Sequence, residues 1–314
     1  MQKRLILICN PRAGRGLSPE RMMHILHYYS GKGYLVSVYL TRKRDTADLI
    51  RQKLGADLDT ADRIVCSGGD GMVNLVLNVL LGAGQEASAA PVFGYLPQGT
   101  TNDFARSIGI PAQFDAMLDA SISDHKLSMD AGSLNGRYFM YVAGFGLFTD
   151  VAYKTPQKQK NTLGYLAYLL NGVKSLSELK PLHLKVEVTG AGGEKEEIEG
   201  SFILGLVTNS QSVAGMKLTS ETQTSFCDGL FEMILVRNPE NLLQLSEILT
   251  AALTSNINDP NLVYRQGSAF RFTGDRQTWT LDGEFGGSYK ESDICVRQGA
   301  VQIAVNGEEE NHGQ

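Results

Sequence analysis

Residues 63–81 read RIVCSGGDGMVNLVLNVLL. Arg63–Cys66 is a short apolar run, Ser67-Gly68-Gly69-Asp70-Gly71 breaks it, and Met72–Leu81 continues with the density of a buried helix. A buried strand running through a glycine loop into a helix is the repeating unit of an open, mostly parallel sheet. Outward from it the same alternation holds over about the first 110 residues. Strands are expected at Arg4–Asn10, Tyr34–Leu40 and Pro91–Leu96, and helices at Pro19–Ser30 and Asp45–Leu54, the latter capped by Asp45 or Thr46. This half reads as α/β.

From about Lys126 the pattern changes to closely spaced extended runs: Lys126–Leu134, Arg137–Val142, His183–Thr189, Ser201–Thr208, Leu230–Val236, Asn261–Phe272, Thr278–Leu281 and Ile294–Val305. Asn135-Gly136 and Gly192-Gly193 supply hairpin chemistry between them. Helices are expected near 161–179 and near 240–255, the second announced by Asn238-Pro239-Glu240. The expected organisation is an α/β domain over 1–125, an antiparallel β-rich domain over 126–297 and a disordered acidic tail over 307–314.

The chain has 314 residues and a formal net charge of −5. That sign argues against a protein whose main partner is nucleic acid. No apolar run reaches the ~18–20 residues of a membrane-spanning helix. The run before Asn10 is too short for a secretory signal, and the expected location is cytoplasmic. Cys9, Cys66, Cys227 and Cys295 are widely spaced and are expected to be reduced, mostly buried thiols. The five histidines form no pattern. Glycine is the outlier, with 34 residues where about 7% is typical.

Three glycine-rich segments each follow an expected strand: Asn10-Pro11-Arg12-Ala13-Gly14-Arg15-Gly16, Ser67-Gly68-Gly69-Asp70-Gly71 and Pro97-Gln98-Gly99-Thr100-Thr101-Asn102-Asp103. The carboxyl ends of parallel strands converge on a ligand crevice, so three such loops point at one place. Glycines let backbone N–H groups crowd around phosphate oxygens, and a following helix start adds favourable partial charge. Neither GxxxxGK[ST] nor GxGxxG is present. Asp70 sharpens the reading. A carboxylate among phosphate-binding amides repels the phosphate unless a cation lies between them, and Mg²⁺ binds in that way.

Gly68-Gly69-Asp70-Gly71-Met72-Val73-Asn74, together with Leu96-Pro97-Gln98-Gly99-Thr100-Thr101-Asn102-Asp103-Phe104-Ala105, resembles the diacylglycerol kinase catalytic domain family. That family includes bacterial soluble diacylglycerol kinases and is related to the sphingosine kinases. The likeness runs the length of the chain through Asn10-Pro11, Thr41, Cys227-Asp228-Gly229-Leu230 and Leu281-Asp282-Gly283-Glu284. It implies an open, mostly parallel α/β nucleotide domain, completed by the C-terminal strand at about 298–306, and an antiparallel β-sandwich-like domain, with the active site in the cleft between them. It implies ATP as co-substrate, held by Asn10, Pro11, Arg12, Ala13, Gly14, Thr41, Gly68, Gly69, Asp70, Gly71, Met72, Val73, Asn74 and Thr100. Glu284 would be the general base, and Asp70 and Asp282 would organise a catalytic Mg²⁺. Asp228, with the carbonyls of Ser225 and Leu230, would hold a second, structural Mg²⁺. The implied reaction is transfer of the γ-phosphate of ATP to a lipid hydroxyl, diacylglycerol being the first candidate and a homodimer an optional assembly.

Phosphoryl transfer needs alignment, cations on the transferred group and a base for the acceptor proton, and these residue types supply all three. Met72 departs from the family's GGDGT loop, and a thioether donates no hydrogen bond to phosphate. The expected approach to a membrane is the Lys154–Lys180 segment, whose five lysines accompany a leucine stripe of helical spacing. GGDG by itself also permits a soluble acceptor, as in NAD kinases, and Met72 points to the alternative of a catalytically weak nucleotide-binding regulatory protein.

Overall fold

The computed structural model describes residues 2–14, 16–82, 91–99, 102–140, 142–146, 180–209, 212–213, 216–217, 227–253 and 258–306. The expected helix at 161–179, the Lys154–Lys180 approach and the acidic tail lie outside these residues. The chain divides into two compact units, one running through Met129 and resuming at Gly299, the other Asp130–Gln298.

The first unit is a parallel sheet with helices between its strands. In chain order it contains β1 (Lys3–Cys9), α1 (Pro19–Gly31), β2 (Tyr34–Leu40), α2 (Ala47–Leu54), α3 (Ala56–Asp59), β3 (Arg63–Gly68), α4 (Asp70–Leu81), β4 (Val92–Pro97), α5 (Asp103–Ser107) and α6 (Phe114–Ser121). β1 pairs in parallel with β2 and β3, and β3 with β4. Apolar β1 residues of one parity, Leu5, Leu7 and Cys9, meet Ile25 and Tyr29 of α1 and Leu118 of α6 in one fully buried cluster. α4 is apolar on most of its circumference, as a helix covered on several sides must be, and it packs on β3 and α2. α1 starts with Ser18 as N-cap and Pro19 in the first turn, and Thr46 caps α2.

β5 (Lys126–Leu134) leads into the second unit, which is antiparallel. It contains β6 (Arg137–Phe139), β7 (Val142–Gly146), β8 (Leu182–Thr189), β9 (Lys195–Thr208), β10 (Ser212–Val213), β11 (Met216–Lys217), β12 (Phe231–Arg237), α7 (Leu242–Leu253), β13 (Leu262–Gly267), β14 (Ala269–Leu281) and β15 (Glu284–Ala304). β15 extends past Gln298 into the first unit, where Ile303 pairs in parallel with Phe93 of β4. The core of the second unit is aromatic. The Trp279 ring lies 4.8 Å from that of Phe145 and 5.2 Å from that of Phe272, both edge-on, and all three are fully buried. The indole N–H of Trp279 donates to Ser292 Oγ at 2.9 Å, satisfying its polar edge.

Several elements differ from the sequence reading, each for a local reason. The run Asn261–Phe272 is two strands, because the chain turns at Ser268, whose N–H donates to Thr189 O at 2.8 Å, and β13 and β14 then pair with different neighbours. Asn241 rather than Pro239 opens α7, its Oδ1 accepting the Gln244 N–H at 2.9 Å. Residues 137–142 break after Phe139, and that break serves the site described next. Cys9 and Cys66 are buried, whereas Cys227 is half-buried and Cys295 exposed.

Candidate functional site

In the first unit, the loops after β1, β3 and β4 close on one another through backbone. Asn10 N–H donates to Ser67 O at 3.0 Å, and Gln98 N–H to Gly68 O at 2.7 Å. Gln98 Nε2 donates to Ser67 Oγ at 2.6 Å. A Cβ on Gly99 would lie 2.8 Å from the Gly69 Cα, and one on Gly14 would lie 2.2 Å from Gln98 O. Gly14 also has φ +57°, a conformation that costs an L side chain. Side chains at these positions would push the loops apart, so the glycines permit a close three-way approach. The Asn10 Oδ1 accepts the Arg12 N–H at 3.0 Å, folding the first loop back on itself and leaving the Arg12 side chain exposed.

Asp70 is the first residue of α4, not part of a loop before it. Gly69 is the N-cap, and no side chain caps this helix. An uncapped start presents backbone N–H groups and the positive end of the helix dipole. One Asp70 carboxylate oxygen accepts the Phe104 N–H at 3.3 Å, tying α4 to the start of α5. Asn102, at φ +49°, makes the turn that permits this, its Oδ1 accepting the Gly99 N–H at 2.8 Å. Thr41 joins the same end of the sheet, its N–H donating to Cys9 O at 2.8 Å. Its hydroxyl lies 3.7 Å from Met72 Sδ, which accepts from it. Met72 is buried, with its side chain against Gly68. Val73 and Asn74 are buried as well, and Asn78 Nδ2 donates to Asn74 Oδ1 at 3.3 Å. Burial pushes the Cys9 thiol at this sheet end up to about 11, against a hydrogen bond with Ser67, and so keeps it protonated. Thr100 lies outside the described residues.

In the second unit, Asp282-Gly283 is the two-residue loop joining Leu281 of β14 to its partner Glu284 of β15. The φ values of +48° and +87° identify a type I′ turn. Asp282 is buried, and its carboxylate accepts two backbone N–H groups, from Met140 at 2.8 Å and Val142 at 3.0 Å. The break between β6 and β7 is what frees those amides to face it. Asp282 N–H in turn donates to Val142 O at 2.8 Å. Glu284 follows on the exposed side of the turn, beside Phe285, which is 49% exposed.

Asp228 is exposed, and its Oδ1 accepts the Leu230 N–H at 2.9 Å. Sequence reading missed the residue beneath this turn. Asp130 is fully buried in β5 and accepts the Gly229 N–H at 2.7 Å. The signal was present as an acid inside the otherwise small and apolar run Met129–Gly132. Glu232, also missed, is buried on β12, and burial, with the nearby Asp228 charge adding to it, raises its carboxyl to about 7 against a hydrogen bond from Gln266. Ser225 lies outside the described residues.

The donor chemistry suits Mg²⁺: the acidic residues present oxygen only. Among the described residues no three His, Cys, Asp or Glu side chains cluster as a self-sufficient metal cage. Mg²⁺ binds in many sites through one or two carboxylates together with substrate phosphates. Asp70, partly exposed at an uncapped helix start, is the residue of the first unit that would hold it.

Comparison with known proteins identifies the two domains. Residues 4–134 match the family model described as the diacylglycerol kinase catalytic domain, and residues 144–305 match the YegS C-terminal NAD kinase beta sandwich-like domain. A diacylglycerol kinase of Bacillus subtilis is 33% identical over 91% of both chains. One from Staphylococcus aureus is 33% identical over 91% of this chain and 88% of its own. A solved structure of a diacylglycerol kinase from Bacillus anthracis has the same fold, with TM-score 0.67 and 20% identity over 97% of both chains. The chain therefore belongs to the diacylglycerol kinase catalytic domain family, with its YegS-type C-terminal domain.

Proposed function

We propose that the protein transfers the γ-phosphate of ATP, with Mg²⁺, to the hydroxyl of a lipid, diacylglycerol being the acceptor and phosphatidic acid the product. The observation that carries this reading is the close approach of three glycine loops, with Asp70 at the helix start. The loops at 10–14 and 68–72 bind and orient the triphosphate chiefly through the start of α4, because the Asn10, Arg12 and Ala13 N–H groups hold the first loop together, and Thr41 closes the same sheet end. Glu284 removes the acceptor hydroxyl's proton, and Asp282 holds the hairpin that presents it. Asp70 would hold Mg²⁺, which would neutralise charge on the transferring phosphoryl group. Asp228 organises the turn by accepting the Leu230 N–H, Asp130 anchors it through the Gly229 N–H, and Asp228 with the Leu230 carbonyl would hold a second, structural Mg²⁺.

The relatives carry names that specify diacylglycerol, which supports that acceptor here. The soluble-acceptor alternative makes an opposite prediction. Phosphate transfer should be seen with diacylglycerol in detergent micelles and be absent with NAD. Turnover of NAD in the absence of any lipid would replace this reading.

A further inference from the structure

The family reading leaves open which surface meets the lipid. We infer that the β2 edge and the turn after it form a contact for an anionic membrane surface, centred on Val38, Leu40 and Arg42-Lys43-Arg44. The inference rests on the lipid-kinase reading for its relevance, not for its geometry. β2 is the terminal strand of its sheet and, among the described residues, pairs with β1 alone. Along its α1-facing side, Tyr34 is buried and Val36 half-buried, whereas Val38 and Leu40 are 42% and 50% exposed. The strand thus emerges from under α1 as it approaches the sheet end that carries the phosphate cradle, apolar where a solvated strand would be polar.

Three consecutive cations then follow, all exposed. Their turn is rigid. Asp45 accepts the Arg42 N–H at 2.9 Å and the Tyr39 hydroxyl at 2.9 Å, and Asp45 N–H donates to Arg42 O at 3.0 Å. The Asp45 carboxylate in the patch has Lys53 3.9 Å away, so Arg42, Lys43 and Arg44 leave the patch positive on balance in a chain of net −5. Local charge of that kind, beside exposed Val and Leu, is complementary to an anionic leaflet, where charge attracts and the apolar pair enters the headgroup region. Each cation near such a surface is worth about 1 kcal/mol, a factor of about five, so three together give about a hundredfold.

The test is partitioning of the full chain onto vesicles of phosphatidylglycerol and phosphatidylcholine, against phosphatidylcholine alone. The variants are R42E/K43E/R44E, a milder R42Q/K43Q/R44Q, and V38S/L40S, each checked for an unchanged thermal melt. The expected result is salt-sensitive binding to anionic vesicles only. Binding should fall by about a hundredfold in the neutralised variant and by more in the charge reversal, with ATP affinity retained. V38S/L40S should lose the binding that survives high salt. Unchanged vesicle binding in the charge reversal, or no binding by the parent protein, overturns the inference. So does weakened ATP binding with vesicle binding intact, which would make the cations nucleotide contacts. A parent protein that self-associates through β2, losing this on V38S/L40S while vesicle binding stays, would make the patch a subunit interface instead. Kinase activity on diacylglycerol in uncharged micelles is followed in parallel. Its absence in the parent would count against the lipid-kinase reading, whatever the vesicles show.

Discussion

Glu284 and Asp282 are neighbours with different tasks. Glu284 is exposed at the first position of β15, while Asp282 is buried with two amide N–H donors on its carboxylate. Glu284→Gln should therefore lower kcat by about 10²–10⁴-fold and leave ATP affinity within a few-fold, as loss of a general base does. An equal loss of ATP affinity, measured by calorimetry, would place Glu284 in nucleotide binding instead. Met72 presents a quieter case. Its thioether is already buried and accepts from Thr41, so Met72→Thr trades packing for a hydroxyl at the helix start. ATP binding should stay unchanged or tighten while the melting temperature falls; clear weakening in an ATP titration would contradict this. At Glu232 the sign follows from burial. Its carboxyl is raised from 4.5 to about 7 in the fold, so the folded state holds the proton more tightly than the unfolded one. The stability it contributes is complete below about pH 4.5 and is lost as pH rises through 7, about 3 kcal/mol in all. Glu232→Gln, melted without added metal, should flatten the fall in stability between pH 5 and 8 relative to the parent. An identical slope would show that Glu232 does not titrate there.

At the scale of elements, the site depends on how closely three loops approach. Gly14→Ala introduces a methyl 2.2 Å from Gln98 O at a positive φ. Moving the first loop off the third should weaken ATP binding about tenfold or more, since phosphate contacts depend on aligned amides, with the parallel sheet left intact by circular dichroism. Unchanged affinity would show that the first loop does not bear on the nucleotide. These elements were also the legible part of the sequence. A buried strand ending in glycines and running into an apolar helix has one reading, and β2 spans the residues its alternation indicates. Asp70 as the first residue of α4 was harder to see, because glycine makes a weak helix start in any propensity argument. The break between β6 and β7 was invisible, since it depends on Asp282, some 140 residues away in the chain. Asp130 and Glu232 escaped for a related reason: a buried acid inside a strand signals itself only through partners that the fold brings.

For the molecule as a whole, the division at Met129/Asp130 and the return of β15 into the first unit follow pairings that are long-range in sequence. Composition and charge narrowed the class of protein; the acceptor is fixed by chemistry that only an assay reads. The most direct measurement is label transfer from γ-labelled ATP, with Mg²⁺, into a total lipid extract in mixed micelles, with Glu284→Gln protein alongside. The account predicts one labelled lipid with the mass of phosphatidic acid, absent with Glu284→Gln and absent when Mg²⁺ is chelated. ATP binding with no labelled lipid, or a label that persists with Glu284→Gln, would contradict it.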